Sequence, residues 1–306
     1  MRVLIVATSH DKLGATGYPT GVWSTEAIHP WHVFHSAGIA VDFASPKGGA
    51  IPLDPYSDPR QPQLSMVKND PVVDAFLADK NAMQQWNSSI PVEQIDASKY
   101  DAVFVAGGNG ALFDLPSHPA TVALLQRFAD SSDKTIASVC HGSAALLHLK
   151  TADGTRPWVQ GKRVTGFDNE EEAIAGAQIG VSYLPFYLET ELRKQGALFV
   201  NGPPFSTFTA VDENGRLVTG QQVLEEEFFC IFLFNMFFLL KEFLRSSSSR
   251  TRCCRFASSS ASAQVFCFVF DSGRAKRHFG NLVQRASGAS CQERRSAAVS
   301  AAKFSD

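Results

Sequence analysis

Cysteine is nearly absent from most of this chain. Cys140 stands alone among the first 229 residues, and the other five, Cys230, Cys253, Cys254, Cys267 and Cys291, fall in the last quarter. A disulfide framework for the main body is thereby excluded. A cytoplasmic, reducing setting is the default, with the nucleus as a further compartment. An apolar run of the ~18 residues that a membrane span requires is also missing. The longest, Phe228 to Leu240, has 13 residues and contains Asn235; at ~1.5 Å per residue it reaches about 20 Å of a ~30 Å hydrocarbon core. No transmembrane span is expected. The opening MRVLIVATSHDK has polar residues directly after its apolar run and no small-residue cleavage pattern, so it reads as a buried strand rather than a signal peptide. Neither G-x-G-x-x-G nor a Gly-Lys-Ser/Thr phosphate loop occurs around GGNG at Gly107 to Gly110, which argues against a nucleotide cofactor there.

What is present divides the chain in two. The 306 residues carry a net charge of -2, yet residues 245 to 306 hold nine Arg and two Lys against Asp271, Glu293 and Asp306, so this tail is +8 and the remainder is -10. A basic, Ser/Ala/Arg-rich segment without hydrophobic periodicity predicts a disordered tail over 246–306. Arginine attracts phosphate, but with no folded platform no nucleic-acid partner is expected. An apolar helix is expected over 223–245.

Residues 1–222 read as one α/β domain. Unbroken apolar runs at 2–8, 101–106 and 135–140 suit strands buried on both faces of a parallel sheet. Helical stretches lie between them at Thr25 to Ala37 and Pro119 to Ala129. A strand at Arg163 to Phe167, a helix near Leu184 to Gln195 and a hairpin turning at Asn214-Gly215 come after.

TIASVCHGSAALL places Cys140 where a buried strand ends and a helix begins, with His141 and Gly142 beside it. Such a nucleophile elbow projects its side chain outward, and the positive end of the next helix predicts a lowered thiol pKa. A buried free cysteine that merely fills core space is the competing reading. GGNG can bring backbone N–H groups close to a bound oxygen and, with the His141 amide, form an oxyanion hole. Glu26, near the start of the first helix, lies on the same sheet edge and either faces the thiol or complements the helix dipole in solvent. One carboxylate of Glu170, Glu171 and Glu172 is expected to orient His141, the others being surface charge.

Taken in order, EAIHPW at 26–31, VFVAGGNGALFDLP at 103–116, ASVCHG at 137–142, VTGFDNEEEA at 164–173 and RLVTGQ at 216–221 resemble the ThiJ/PfpI proteins. The resemblance is to their heat-shock-type subgroup of chaperones and glutathione-independent glyoxalase III enzymes, within the class I glutamine amidotransferase-like superfamily. It spans roughly residues 1 to 221. It implies a flavodoxin-like three-layer sandwich with a mostly parallel sheet and a small cap from residues 10–24 and 47–95. It also implies a triad of Cys140, His141 and Glu172, with Glu26 bonded to the nucleophile and with Gly108 and the His141 amide as oxyanion donors.

The implied chemistry is conversion of methylglyoxal, a small 2-oxoaldehyde, and water to D-lactate, with no metal, nicotinamide or glutathione. Asn109 stands where close relatives have His, beside the oxyanion loop, where it would tune substrate fit. A homodimer is one assembly the resemblance suggests. Beyond Gln222 the resemblance stops, which points to unspliced message as a source of 223–306; a spliced transcript encoding that whole segment would refute it. A holdase indifferent to Cys140, or a related cysteine hydrolase or deglycase, is the competing function.

Overall fold

A computed structural model describes residues 1–179 and 184–222, together with 252–255 and 265–268. Among the described residues nine strands belong to the main body: β1 (Arg2–Val6), β2 (Ala40–Ser45), β3 (Ile90–Pro91), β4 (Ala102–Val105), β5 (Thr135–Val139), β6 (Arg163–Val164), β7 (Leu198–Phe199), β8 (Thr209–Val211) and β9 (Leu217–Gly220). Its helices are α1 (Ser24–Ser36), α2 (Pro71–Ala78), α3 (Lys80–Asn87), α4 (Ala111–Asp114), α5 (Pro119–Asp130), α6 (Asn169–Ile179) and α7 (Leu188–Lys194).

Seven strands form one sheet in the order β3-β2-β1-β4-β5-β9-β8, parallel throughout except for the β8–β9 hairpin. β4 and β9 are buried along their whole length and β1 and β5 along all but their first residue, as unbroken apolar strands covered by helices on both faces must be. The α/β architecture expected from the apolar runs, in the flavodoxin-like form that the ThiJ/PfpI resemblance implied, is the one observed. β6 and β7 form a separate two-residue parallel pair, so the strand expected over 163–167 ends at Val164. Beyond it Gly166 and Phe167 turn toward the site instead of extending the main sheet.

The register fixes where chemistry can occur. Val6 lies opposite Val105, Val105 opposite Ser138, and Val139 opposite Gly220, so β1, β4, β5 and β9 end together at one carboxyl edge. From β1 the chain winds outward through β2 to β3, then returns to the other side of β1 with β4. The order therefore reverses between β1 and β4, and the loops after them open the crevice in which α/β sheets bind ligands.

Segment 10–24 meets the loop after β4 at this edge, Trp23 donating to the Gly107 carbonyl at 3.4 Å and Gly110 to the Gly21 carbonyl at 3.3 Å, while segment 47–95 carries α2 and α3 and joins the sheet as β3. Val22 bridges Leu53, Thr20 donates to Asp54 at 2.8 Å, and the Ser24 amide donates to the Ser57 hydroxyl at 2.8 Å, which ties the start of α1 to the second segment. Asp70 and Asp79 cap α2 and α3 through their side chains. These helices are anchored by an aromatic cluster in which Phe76 meets Trp31, Phe43 and Trp86 edge-on at 4.8, 6.1 and 5.7 Å between ring centroids. Each such pair adds about 0.5–1.5 kcal/mol beyond the area it buries.

A second unit follows residue 237 in the sequence. Its described part is β10 (Arg252–Arg255) paired antiparallel with β11 (Val265–Phe268). Otherwise, the helix expected over 223–245 and the disordered tail expected over 246–306 lie outside the described residues. No helix among the described residues is long and apolar enough to cross a membrane.

Candidate active site

Cys140 comes directly after the last residue of β5 and takes φ = 54°, a left-handed conformation costing a non-glycine residue on the order of 1 kcal/mol or more. The turn it opens holds that strain in place. Residues Cys140–Leu146 wind into a 3-10 helix, tighter than an α-helix, and all seven are buried. Ser143 on this turn meets Ser138 at 2.8 Å and donates to the Thr165 carbonyl at 3.0 Å, clamping the turn to β5 and to the segment after β6.

His141 is only 3% exposed, and its imidazole links two partners. Its Nδ1 lies 3.5 Å from the Cys140 sulfur, and its Nε2 lies 2.8 Å from Glu172 Oε1. Phe167 covers the ring at 4.4 Å between centroids, tilted by 30°. Glu172 comes from the first turn of α6, so a segment 31 residues from His141 in sequence supplies the carboxylate.

Glu26 reaches the thiol from α1. It is only 2% exposed, and its carboxyl group hydrogen-bonds with the Cys140 thiol and the Gly107 amide. Of the two readings its sequence position left open, the solvated one is excluded. Burial is the main cause that pushes its pKa from 4.5 up to about 8. Pro30, four residues on inside α1, lacks the N–H that would bond to the Glu26 carbonyl.

The GGNG loop is shaped by this carboxyl group. A Cβ on Gly107 would lie 2.5 Å from Glu26 Oε2 and 2.9 Å from the His141 amide nitrogen, while one on Gly108, at φ = 91°, would lie 2.5 Å from both the Gly21 carbonyl and the Trp23 nitrogen. Only glycine fits either place, and the consequence is electrostatic: the amides of Gly108 and His141 both hydrogen-bond toward Cys140. Asn109, next in the loop, is half-buried, and its Oδ1 has no hydrogen-bond partner among the described residues.

Two expectations require correction. Desolvation, then the nearby carboxylates of Glu26 and Glu171, hold the Cys140 thiol well above its usual value, against the smaller opposing effect of the His141 and Gly108 amides. The expected lowering fails because complete burial outweighs two amide dipoles. Secondly, only Glu170 of the remaining acidic pair is exposed; Glu171 is fully buried. It forms a capping box with Asp168, each side chain accepting the other's backbone N–H at 2.8 and 2.9 Å. The pattern Asp-x-x-Glu at 168–171 carried that signal.

Cys140 is thus brought together with His141, Glu26 and the Gly108 amide, and Glu172 joins through His141; Asn109 follows Gly108 in the loop. No group of three or more His, Cys, Asp or Glu side chains among the described residues is arranged to hold a metal ion. The arrangement can instead supply a thiol, an imidazole acceptor, a protonatable carboxyl group and two amide donors to an electrophilic carbon.

The DJ-1/PfpI family profile matches residues 18–231. The glutathione-independent glyoxalase hsp3101 of Schizosaccharomyces pombe is 34% identical over 226 residues, covering 72% of this chain and 88% of that protein. Among solved structures, the Rapid Encystment Protein of Francisella tularensis superposes with a TM-score of 0.69 at 30% identity, covering 78% of this chain and 99% of its own. Glyoxalase III from Candida albicans superposes at 0.61 with 25% identity, over 72% and 91%. A profile that runs from the cap loop through the elbow to the last strand of the sheet encloses every residue of the site, and the chain belongs to the DJ-1/PfpI family.

Proposed function

We propose that this chain is a glutathione-independent glyoxalase of the D-lactate dehydratase type, a carbon–oxygen lyase that converts methylglyoxal and water to D-lactate. The observation that carries the reading is the Cys140 sulfur at a strained turn, with His141 Nδ1 at 3.5 Å and the Glu26 carboxyl group against it. The relatives named as glutathione-independent glyoxalase and glyoxalase III support it.

Burial pushes the Cys140 thiol up, which favours deprotonation in the same step as attack. With its Nε2–H donated to Glu172, His141 presents the Nδ1 lone pair to the sulfur and takes the thiol proton as Sγ bonds to the aldehyde carbon. The Gly108 and His141 amides stabilise the oxyanion, which regains a proton to give a hemithioacetal. Glu26 in its ionised form then removes the hydrogen on the former aldehyde carbon and returns a proton to the neighbouring carbon, through an enediol. A carboxyl group with a pKa of about 8 exchanges protons near neutrality, as this transfer demands. The product is a lactoyl thioester; water cleaves it to lactate and restores the thiol. Every atom is accounted for by one methylglyoxal and one water.

The test is incubation of the purified full chain with methylglyoxal in the absence of glutathione, with D-lactate read by a stereospecific assay. Formation of D-lactate by wild type and its loss in Cys140→Ala is the expected result. A wild-type protein that forms no lactate while its thiol remains alkylatable would overturn the reading.

A further inference from the structure

The two oxygens of Glu171 have different duties. Oε2 belongs to the capping box, accepting the Asp168 N–H at 2.9 Å. Oε1 faces the other way and accepts three hydrogen bonds: from the Phe205 amide at 2.7 Å, Gln221 Nε2 at 3.0 Å and Gln222 Nε2 at 3.1 Å. A helix cap needs the first oxygen only. The second draws together three segments distant in sequence: the start of α6, the loop before β8, and the residues after β9.

The segments these donors belong to are next to the reacting groups. Phe205 has φ = 54°, and its ring meets Phe167 edge-on at 6.0 Å, which in turn covers His141 at 4.4 Å. Glu172, the neighbour of Glu171 on α6, is the His141 partner. The charge of Glu171 is also felt at both Cys140 and Glu26, which it pushes upward. Among the described residues no lysine or arginine is a hydrogen-bond partner of Glu171; the donors are neutral amides. A buried carboxylate supported in this way is costly, which sets it apart from an ordinary surface cap.

We infer that Glu171 is a positioning residue of the site: through Oε1 it locks Phe205 and the two glutamines, so that Phe167 and Glu172 hold His141 in line with Cys140. The inference rests on Cys140 as the nucleophile, whatever its electrophile.

Glu171→Gln tests it with little change in volume. An amide has one acceptor oxygen, so it can satisfy Asp168 or the Phe205–Gln221–Gln222 donors, not both. Gln222→Ala removes one Oε1 donor without touching the cap. Two readouts are needed on the full-length protein: kcat and KM for methylglyoxal, and the pH dependence of Cys140 alkylation by iodoacetamide, which requires no glyoxalase activity. For Glu171→Gln the expected result is a kcat at least about tenfold lower with KM little changed, and an alkylation midpoint moved to lower pH by removal of the nearby negative charge. For Gln222→Ala the expected result is a smaller fall in kcat with the alkylation midpoint unchanged.

A merely structural role lowers Tm in both variants and leaves kcat at wild-type values, which would overturn the inference; the midpoint of Glu171→Gln moves with the lost charge in either case. If Glu171→Gln fails to fold, Gln222→Ala decides: wild-type kcat in that variant overturns it. If wild type turns over no methylglyoxal, the rate of Cys140 alkylation near neutral pH replaces kcat: a slower rate in Gln222→Ala than in wild type supports the inference and a wild-type rate overturns it, so failure of the substrate assignment stays distinct from failure of this one.

Discussion

Replacing Glu26 with Gln removes the one carboxyl group that burial holds protonated beneath the Cys140 thiol. In the unfolded chain this group titrates near 4.5, and in the folded chain at about 8. Below 4.5 it is protonated in both states and contributes nothing to the pH dependence. As pH rises toward 8 the unfolded chain releases the proton while the folded chain retains it, so wild-type stability falls by about 1.4 kcal/mol per pH unit. Across the whole interval that is about 5 kcal/mol, and between about pH 5 and pH 8 it is about 3 to 4 kcal/mol. Glutamine cannot titrate, and other carboxyl groups contribute nearly equally to both proteins. Denaturant unfolding of wild type and Glu26→Gln at about pH 5 and pH 8 therefore yields two differences, and Glu26→Gln gains on wild type by that amount at the higher pH. A difference that stays constant within about 0.5 kcal/mol, the reach of an ordinary surface substitution, would refute the claim that Glu26 enters the folded site protonated.

The same substitution removes a negative charge that holds the thiol up, so alkylation of Cys140 by iodoacetamide in Glu26→Gln is expected to reach half-maximal rate at lower pH than in wild type. Glu172→Gln deprives His141 Nε2 of its carboxylate partner; kcat is expected to fall by roughly 10²–10⁴-fold, read from D-lactate formation. Phe76→Ala empties the centre of the aromatic cluster that holds α2 and α3, and thermal or denaturant unfolding should show a loss of about 3–5 kcal/mol.

Much of the sheet is legible because its strands are buried on both faces: runs such as DAVFVA and TIASVC cannot alternate and still pack. The elbow is legible as well, since Gly107, Gly108 and Cys140 sit where strands stop. Local patterns also indicate the capping box, but Asp-x-x-Glu names a helix start without revealing the second face of Glu171. That face is set by Phe205, Gln221 and Gln222, which lie 34, 50 and 51 residues away. The thiol shows the same boundary. Sequence displays a helix end that favours thiolate, whereas the opposing effect, complete desolvation together with Glu26 and Glu171, depends on how the loops close over it. The short β6 is a third case, because Phe167, at the end of the expected strand, covers His141 rather than extending it.

Bonding of Cys140 to the substrate is the step on which the proposed chemistry turns. Rapid acid quench of the full chain with methylglyoxal, then peptide mass spectrometry, measures this directly. The expected result is an adduct of one methylglyoxal mass on the peptide carrying Cys140, formed within a turnover, absent from Cys140→Ala and decaying as D-lactate appears. D-lactate formed at the wild-type rate by Cys140→Ala, with no adduct on wild type, would contradict it.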